Sequence, residues 1–376
     1  MTSELDRARD LLTRSPILDG HNDLPWALRD RGLDAVDLTA GISDTHTDLP
    51  RLRAGRVGAQ FWSVFVPASL QGDSAVATTL EQVDLARRMI GQYPDALEFA
   101  GTADDVQRIM AAGKVASLLG AEGGHSIGSS LGVLRSLYAL GVRYMTLTHN
   151  DNVPWADSAT DDPAAGGLTG FGREVVTEMQ RLGMLVDLSH TAPSTMRDAL
   201  DAARGPVIFS HSSARAICDH ARNVPDDVLA TMAEGGGVCM VTFVPSFVSE
   251  ECRQWDLGVS EVMRERGLDA RDYSERMRVT AGHAATHPRP NATIAQVADH
   301  VEHVRKVAGV EHVGIGGDYD GTDQLPEGLS DVSGYPGLFA ELLRRGWTES
   351  ECALLASGNI IRVLHEAEET ARSLSA

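Results

Sequence analysis

Eight short apolar runs rich in β-branched residues recur along the chain. They are Ile17–Asp23, Gly58–Pro67, Val115–Glu122, Arg143–His149, Met184–His190, Pro206–His211, Gly237–Val244 and His312–Asp318. Between or after them lie helix-like segments: Thr79–Ile90, Ala103–Ala112, Leu131–Leu140, Gly172–Leu182, Pro193–Ala203, Pro225–Glu234, Ile294–Ala308 and Tyr335–Arg345. Strands alternating with helices imply βαβ units and a parallel sheet. Eight such units in 376 residues predict an α/β fold closed into a (β/α)8 TIM-like barrel, one domain over residues 1–376. An open doubly wound sheet is the runner-up. It would place a Gly-rich phosphate turn after the first strand, where this chain has Asp19-Gly20-His21-Asn22-Asp23. A longer stretch, about 245–291, separates the last two strands and is expected to form a lid or a substrate-facing excursion.

The runs share a second property: ionisable residues stand at their C-terminal ends. His21 and Asp23 end the first run, and Glu122, His149, His190, His211 and Asp318 end later ones. In a barrel these ends converge on the face that carries active sites. Taken singly, a histidine there is a hydrogen-bonded structural residue and an acid there is a helix N-cap. Capping does not explain six of eight strands delivering His, Asp or Glu to one end, and these residue types are the ligand set of a zinc-like divalent site. His21 and Asp23, two apart, point to one side of a strand. The ligand surplus suggests two metal ions bridged by a carboxylate. Glu122 is the choice for the bridge, because Gly123 and Gly124 behind it admit close approach. Only Lys114 and Lys306 are lysines, and neither sits at the right strand end to bridge after modification.

Around such a pair, Asp318 is the candidate to move the proton of an activated water. His149 is left over from the ligand set and is the candidate oxyanion stabiliser. Arg222 could pair with a substrate carboxylate, against the alternative of a surface arginine. His46, His125, His220, His283, His287, His300, His303, His312 and His365 fall in loops, helices or strand starts and read as structural. Trp26 and Trp155 follow site strands and either line the pocket or close its rim.

A formal net charge of −20 excludes the basic footprint of a nucleic-acid binder. The polar stretch Met1–Arg14 has no apolar signal core, and no window nears 18 uninterrupted apolar residues, so neither a leader nor a membrane span is expected and a cytoplasmic location is inferred. The sequon Asn291-Ala292-Thr293 then has no secretory context. Four cysteines, Cys218, Cys239, Cys252 and Cys352, form no CxxC pair and read as reduced, buried thiols.

Seven stretches together resemble the renal (membrane) dipeptidase family. They are Leu18-Asp19-Gly20-His21-Asn22-Asp23-Leu24-Pro25, Glu122-Gly123-Gly124, Leu147-Thr148-His149-Asn150, Asp187-Leu188-Ser189-His190, Ser210-His211-Ser212-Ser213-Ala214, Arg222-Asn223-Val224-Pro225-Asp226-Asp227 and Gly316-Gly317-Asp318-Tyr319-Asp320-Gly321. The resemblance implies a (β/α)8 barrel with two Zn2+ per chain: His21 and Asp23 on one ion, His190 and His211 on the other, and Glu122 between them. It further implies substrate contacts from His149 and Arg222, proton transfer by Asp318, and dipeptide substrates with tolerance for a D-residue at the C-terminal position; some members open β-lactams. It leaves a homodimer open. Where secreted members have a tyrosine near the substrate, this chain has Val244. The resemblance also places Cys218 where such members have a disulfide-forming cysteine, with Cys252 as the partner it would need. Two other readings stand beside this one: a metal-dependent amidohydrolase of another amide or a lactone, and a non-catalytic binding protein on the same fold.

Overall fold

The apolar runs become strands that are buried along their length, as their unbroken hydrophobicity requires when helices cover a parallel sheet. In the computed structural model, which describes residues 3–269 and 273–375, these are β1 (Ile17–Asn22), β2 (Val57–Phe65), β3 (Leu97–Phe99), β4 (Val115–Glu122), β5 (Val142–Thr146), β6 (Leu185–Asp187), β7 (Val207–Phe209), β8 (Val238–Val241) and β9 (Val313–Ile315). All neighbours pair in parallel in the order β2-β1-β9-β8-β7-β6-β5-β4. The ring closes where β4 pairs with β2, from Ala59 opposite Ala116 to Phe65 opposite Glu122. This is the expected eight-stranded barrel. β3 is additional; it pairs with the start of β4, on the flank that β5 takes over from Leu119.

Alternation divides the core into two layers. Leu18, Ala59, Phe61, Ala116, Leu118, Tyr144, Leu185, Ile208, Val238 and Met240 form one cluster, which continues onto the helices Ala103–Ala111 and Asn359–Ser375. The complementary strand residues, among them Trp62, Val64, Leu119, Met145, Val186, Phe209 and Val241, join the larger cluster shared with the surrounding helices. Burying each large side chain contributes about 1.5–3 kcal/mol.

The helices begin and stop where local chemistry dictates. Thr169 caps Gly170–Leu182 by accepting from Gly172 N, and Gly183 ends it in the left-handed region at φ 83°. Thr293, the last residue of the sequon, caps Ile294–Ala308 in a reciprocal box with Gln296. The excursion contains the helices Pro245–Val248, Glu250–Glu265 and Tyr273–Ala284, the last two sharing a small cluster of Val259, Met263 and Val279. Of the 1–376 span, residues 1–2, 270–272 and 376 lie outside the described residues. No helix among the described residues is long and apolar enough to cross a membrane.

Candidate metal centre

The site begins where β1 meets the loop after β9. Asp318 N donates to His21 O (3.2 Å) and Asp23 N donates to Tyr319 O (2.9 Å), so two segments about 300 residues apart are tied backbone to backbone. His21 and Asp23 do converge, with His21 Nε2 3.2 Å from Asp23 Oδ2. Strand alternation alone is not the cause, because the β1 register shifts between Asp19 and Asn22 and Asp23 already opens the helix Leu24–Arg29. The Asp23 side chain makes no capping bond, which leaves its carboxylate free for the site.

Glu122 is the hub. Its Oε2 lies 3.4 Å from His21 Nε2 and accepts from Ser63 Oγ at 3.1 Å. Its Oε1 lies 3.1 Å from His190 Nε2 and 3.6 Å from both His211 Nε2 and His149 Nε2. One carboxylate thus offers an oxygen to each of two ligand groups. The glycines behind it are needed as the sequence suggested. A Cβ on Gly123 would come 2.4 Å from the His125 ring, and one on Gly124 would come 2.4 Å from Leu147 O.

Two site residues hold backbone conformations that L-residues seldom adopt: His190 at φ 65° and Asp318 at φ 61°. Such strain costs about 1–3 kcal/mol each and persists where the surroundings over-determine it, commonly at functional sites. Asp318 Oδ1 is 4.0 Å from His21 Nε2.

Three sets of potential ligand atoms lie within 4.8 Å of one another: His21, Glu122 and His211; Glu122, His149 and His190; His21, Asp23 and Asp318. All seven strand-end residues therefore gather at one rim. His149, which the sequence left outside the ligand set, stands within ligand reach, its ring 4.4 Å from that of His190. Among the described residues none of the other histidines joins a ligand group; His125 and His300 bond the Val66 and Val248 carbonyls, and His303 pairs with Asp226. Lys114 is tied to Glu98 at 3.1 Å, at the opposite end of β4.

The electrostatics call for a cation. Burial pushes the Glu122 and Asp318 carboxyls up; His21 opposes this, and Asp23 adds to it in both. Burial pushes His149, His190 and His211 well down, so their imidazoles are neutral. His21 Nε2 and Asp23 Oδ1 are buried without a hydrogen-bond partner. Orphaned atoms of ligand type, aimed at a rim of carboxylates and neutral imidazoles, fit divalent metal ions of the zinc class.

Arg222 is 3% exposed, far from the surface residue of the alternative reading. Burial lowers its guanidinium to about 10. It donates to Ser212 Oγ (3.3 Å) and His211 O (3.4 Å) and lies over the Phe247 ring. Among the described residues no carboxylate pairs with it within 4 Å. A buried, acid-free guanidinium beside a metal centre is suited to an anionic ligand. Phe247 belongs to the first helix of the excursion, so at least that turn faces the site. Trp155 is buried against Gly124, whereas Trp26 stands half-exposed, edge-on to Phe65, which in turn meets His149.

Sequence reasoning missed the residues behind the ligands. Tyr144 Oη is 2.7 Å from His21 Nδ1, and Ser210 Oγ is 2.8 Å from His211 Nδ1. Gly120 makes the first contact feasible, since a Cβ there would fall 2.0 Å from the Tyr144 ring. Both Tyr144 and Ser210 sit inside or beside strands whose ends were already suspect, which was the available signal. All four cysteines are free and buried, and Cys218 Sγ contacts Ser246 O at 3.5 Å, so the Cys218–Cys252 bridge is absent.

A family model described as membrane dipeptidase (peptidase family M19) matches residues 5–376. Dipeptidase 3 of Rattus norvegicus is 43% identical over 372 residues, which is 97% of this chain and 67% of that protein. The probable dipeptidase PvdM from Pseudomonas aeruginosa has a similar crystal structure, with a TM-score of 0.87 at 23% identity over 98% of this chain and 99% of that one. A metallo peptidase from Rhodobacter sphaeroides, liganded with a phosphinate mimic of the dipeptide L-Ala-D-Ala, has a TM-score of 0.78 at 24% identity over 94% of this chain and 99% of that one.

Proposed function

We infer that this chain, which belongs to the membrane dipeptidase family (peptidase family M19), is a zinc-dependent hydrolase of dipeptides that accepts a D-residue at the C-terminal position. The observation that carries the reading is Glu122, with one oxygen toward His21 and the other toward His190 and His211, next to the buried Arg222. His21 and Asp23 would hold one ion and His190 and His211 the other, with Glu122 shared. When bound there, zinc would supply an acidified water and polarisation of the scissile carbonyl.

The remaining steps belong to the protein. Arg222 pairs with the substrate carboxylate and fixes its C-terminal end. The neutral His149 donates an N–H to the carbonyl oxygen as negative charge grows there. Asp318 takes the proton of the attacking water and delivers it to the departing amine. Every one of these contacts is to a group that an L,L- and an L,D-dipeptide share, so chirality at the second residue is read only by what surrounds its side chain. That supports the proposed tolerance.

The test is turnover of a panel: L,L- and L,D-dipeptides, N-acyl amino acids and lactones, with protein stripped by chelator and with zinc restored. Hydrolysis of dipeptides that vanishes on stripping and returns with zinc supports the reading. Undiminished activity in stripped protein refutes it, and preference for lactones or N-acyl amino acids moves the chain to another amidohydrolase class.

A further inference from the structure

Behind His211 lies a chain of hydrogen bonds whose polarity is fixed. Asp187, the last residue of β6, is fully buried and its carboxylate meets four donors. Oδ1 accepts from Ser189 N (3.1 Å) and Ser210 N (2.8 Å). Oδ2 accepts from Thr146 Oγ1 (2.6 Å) and Ser210 Oγ (2.6 Å). A carboxylate so surrounded only accepts. Ser210 therefore gives its single hydroxyl proton to Asp187 and turns a lone pair toward His211 Nδ1, 2.8 Å away. His211 must then carry its proton on Nδ1, which leaves the Nε2 lone pair toward the site, 3.0 Å from His190 Nε2 and 3.6 Å from Glu122 Oε1.

His21 has no such arrangement. Its Nδ1 meets Tyr144 Oη at 2.7 Å, and a phenol can donate or accept. Among the described residues Tyr144 Oη has no other partner that would decide between the two. Of the three ligand imidazoles, His211 is set as a ligand before any ion arrives; His21 and His190, whose Nδ1 is buried without a hydrogen-bond partner, are not.

We propose that Asp187 is a positioning residue which, through Ser210 Oγ, holds His211 in the ligand tautomer and so tightens ion binding at the His190–His211 position. The inference rests on the metal-centre reading above. It predicts an unusual order of variants. In Asp187→Asn the two backbone N–H groups keep the amide oxygen on the Oδ1 side, so the NH2 group faces Ser210 Oγ. Ser210 must then accept from the amide and donate to His211 Nδ1, and the proton moves to Nε2, where the ion should bind. An Asp→Asn change behind a histidine is known to impose the wrong tautomer in this way. Ser210→Ala merely removes the constraint and leaves both tautomers open.

The experiment is a Co2+ titration of stripped protein, followed by visible absorption and by metal content, with thermal melting of each metal-free variant. Wild-type protein should take up two Co2+ in two steps. Ser210→Ala should weaken one step by about 10-fold and Asp187→Asn the same step by about 100-fold, the range typical of groups that orient metal ligands. The other step should stay unchanged. Equal weakening of both steps, or Ser210→Ala weaker than Asp187→Asn, overturns the proposal. If Asp187→Asn does not fold, Ser210→Ala decides: both steps at wild-type affinity overturn it. Wild-type protein that binds fewer than two ions overturns the metal-centre reading itself, whereas two ions in wild type with unaltered variants overturns the brace alone.

Discussion

At the residue scale, the site is a set of side chains that are costly to bury until something binds them. Arg222 is the clearest case. Replacing it with Met removes a buried charge without a carboxylate partner, so the thermal midpoint should hold or rise. The same change should lower kcat/KM for dipeptides by about 10–150-fold, the worth of a hydrogen-bonded charge pair. A fall in midpoint, or unchanged kcat/KM, would contradict the role. Glu122→Gln keeps the shape and removes the charge shared by both ligand groups; metal content should drop below that of wild type, and two ions retained per chain would remove Glu122 as the bridge. All seven strand-end residues could be named from sequence because each closes an apolar run. Asp187, Ser210 and Tyr144 were signalled only by lying in or beside the same runs, and a polar residue there carries no mark of which ligand it braces.

At the element scale, the legible parts were those with a period. Seven of the helices between strands and the helix after β9 were found close to their observed bounds, since their apolar positions recur at helical spacing. β3 was missed because three residues give no alternation to read. The helices Glu4–Arg14 and Leu24–Arg29 were missed too: the first has mostly polar composition, the second spans six residues. Asn359–Ser375 was also missed, although Ile360, Val363, Leu364 and Ala367, all buried, give it a helical stripe. Loops are held by side chains instead. Asp157, fully buried, accepts from the N–H groups of Ala164, Ala165, Gly166 and Gly167 and so folds the segment after His149 into a ring. Asp157→Asn would leave donors facing donors and should cost roughly 1–3 kcal/mol, with faster hydrogen exchange at those four amides. Between two helices, Arg181 and Arg135 hold Glu178 down at about 2, against a usual 4.5 and the opposing effect of burial. A depressed carboxyl stabilises the fold above its unfolded value, and that contribution fades as pH falls from about 4.5 toward 2. Glu178→Gln should therefore flatten the acid limb of unfolding free energy against pH.

At the scale of the whole molecule, barrel closure and ion binding meet on one strand. The architecture was readable because eight alternations leave few other solutions, and β2 and β4 pair as consecutive members of the eight runs although β3 intervenes between them in sequence. Stripping metal should lower the thermal midpoint by on the order of 5–10 °C, as expected when ligands bind only the native state, and zinc should restore it. Glu122 ends β4 opposite Phe65, at the last rung of the seven-residue ladder between β2 and β4. The ions would therefore act as a clasp at the rim: the carboxylate they share stands on the last rung of that ladder, and no rung follows it. Fraying would reach that last rung more easily in the bare protein, and exchange of the Ala121 and Glu122 amides should slow on loading more than that of amides in β7, although β7 also leads to ligands.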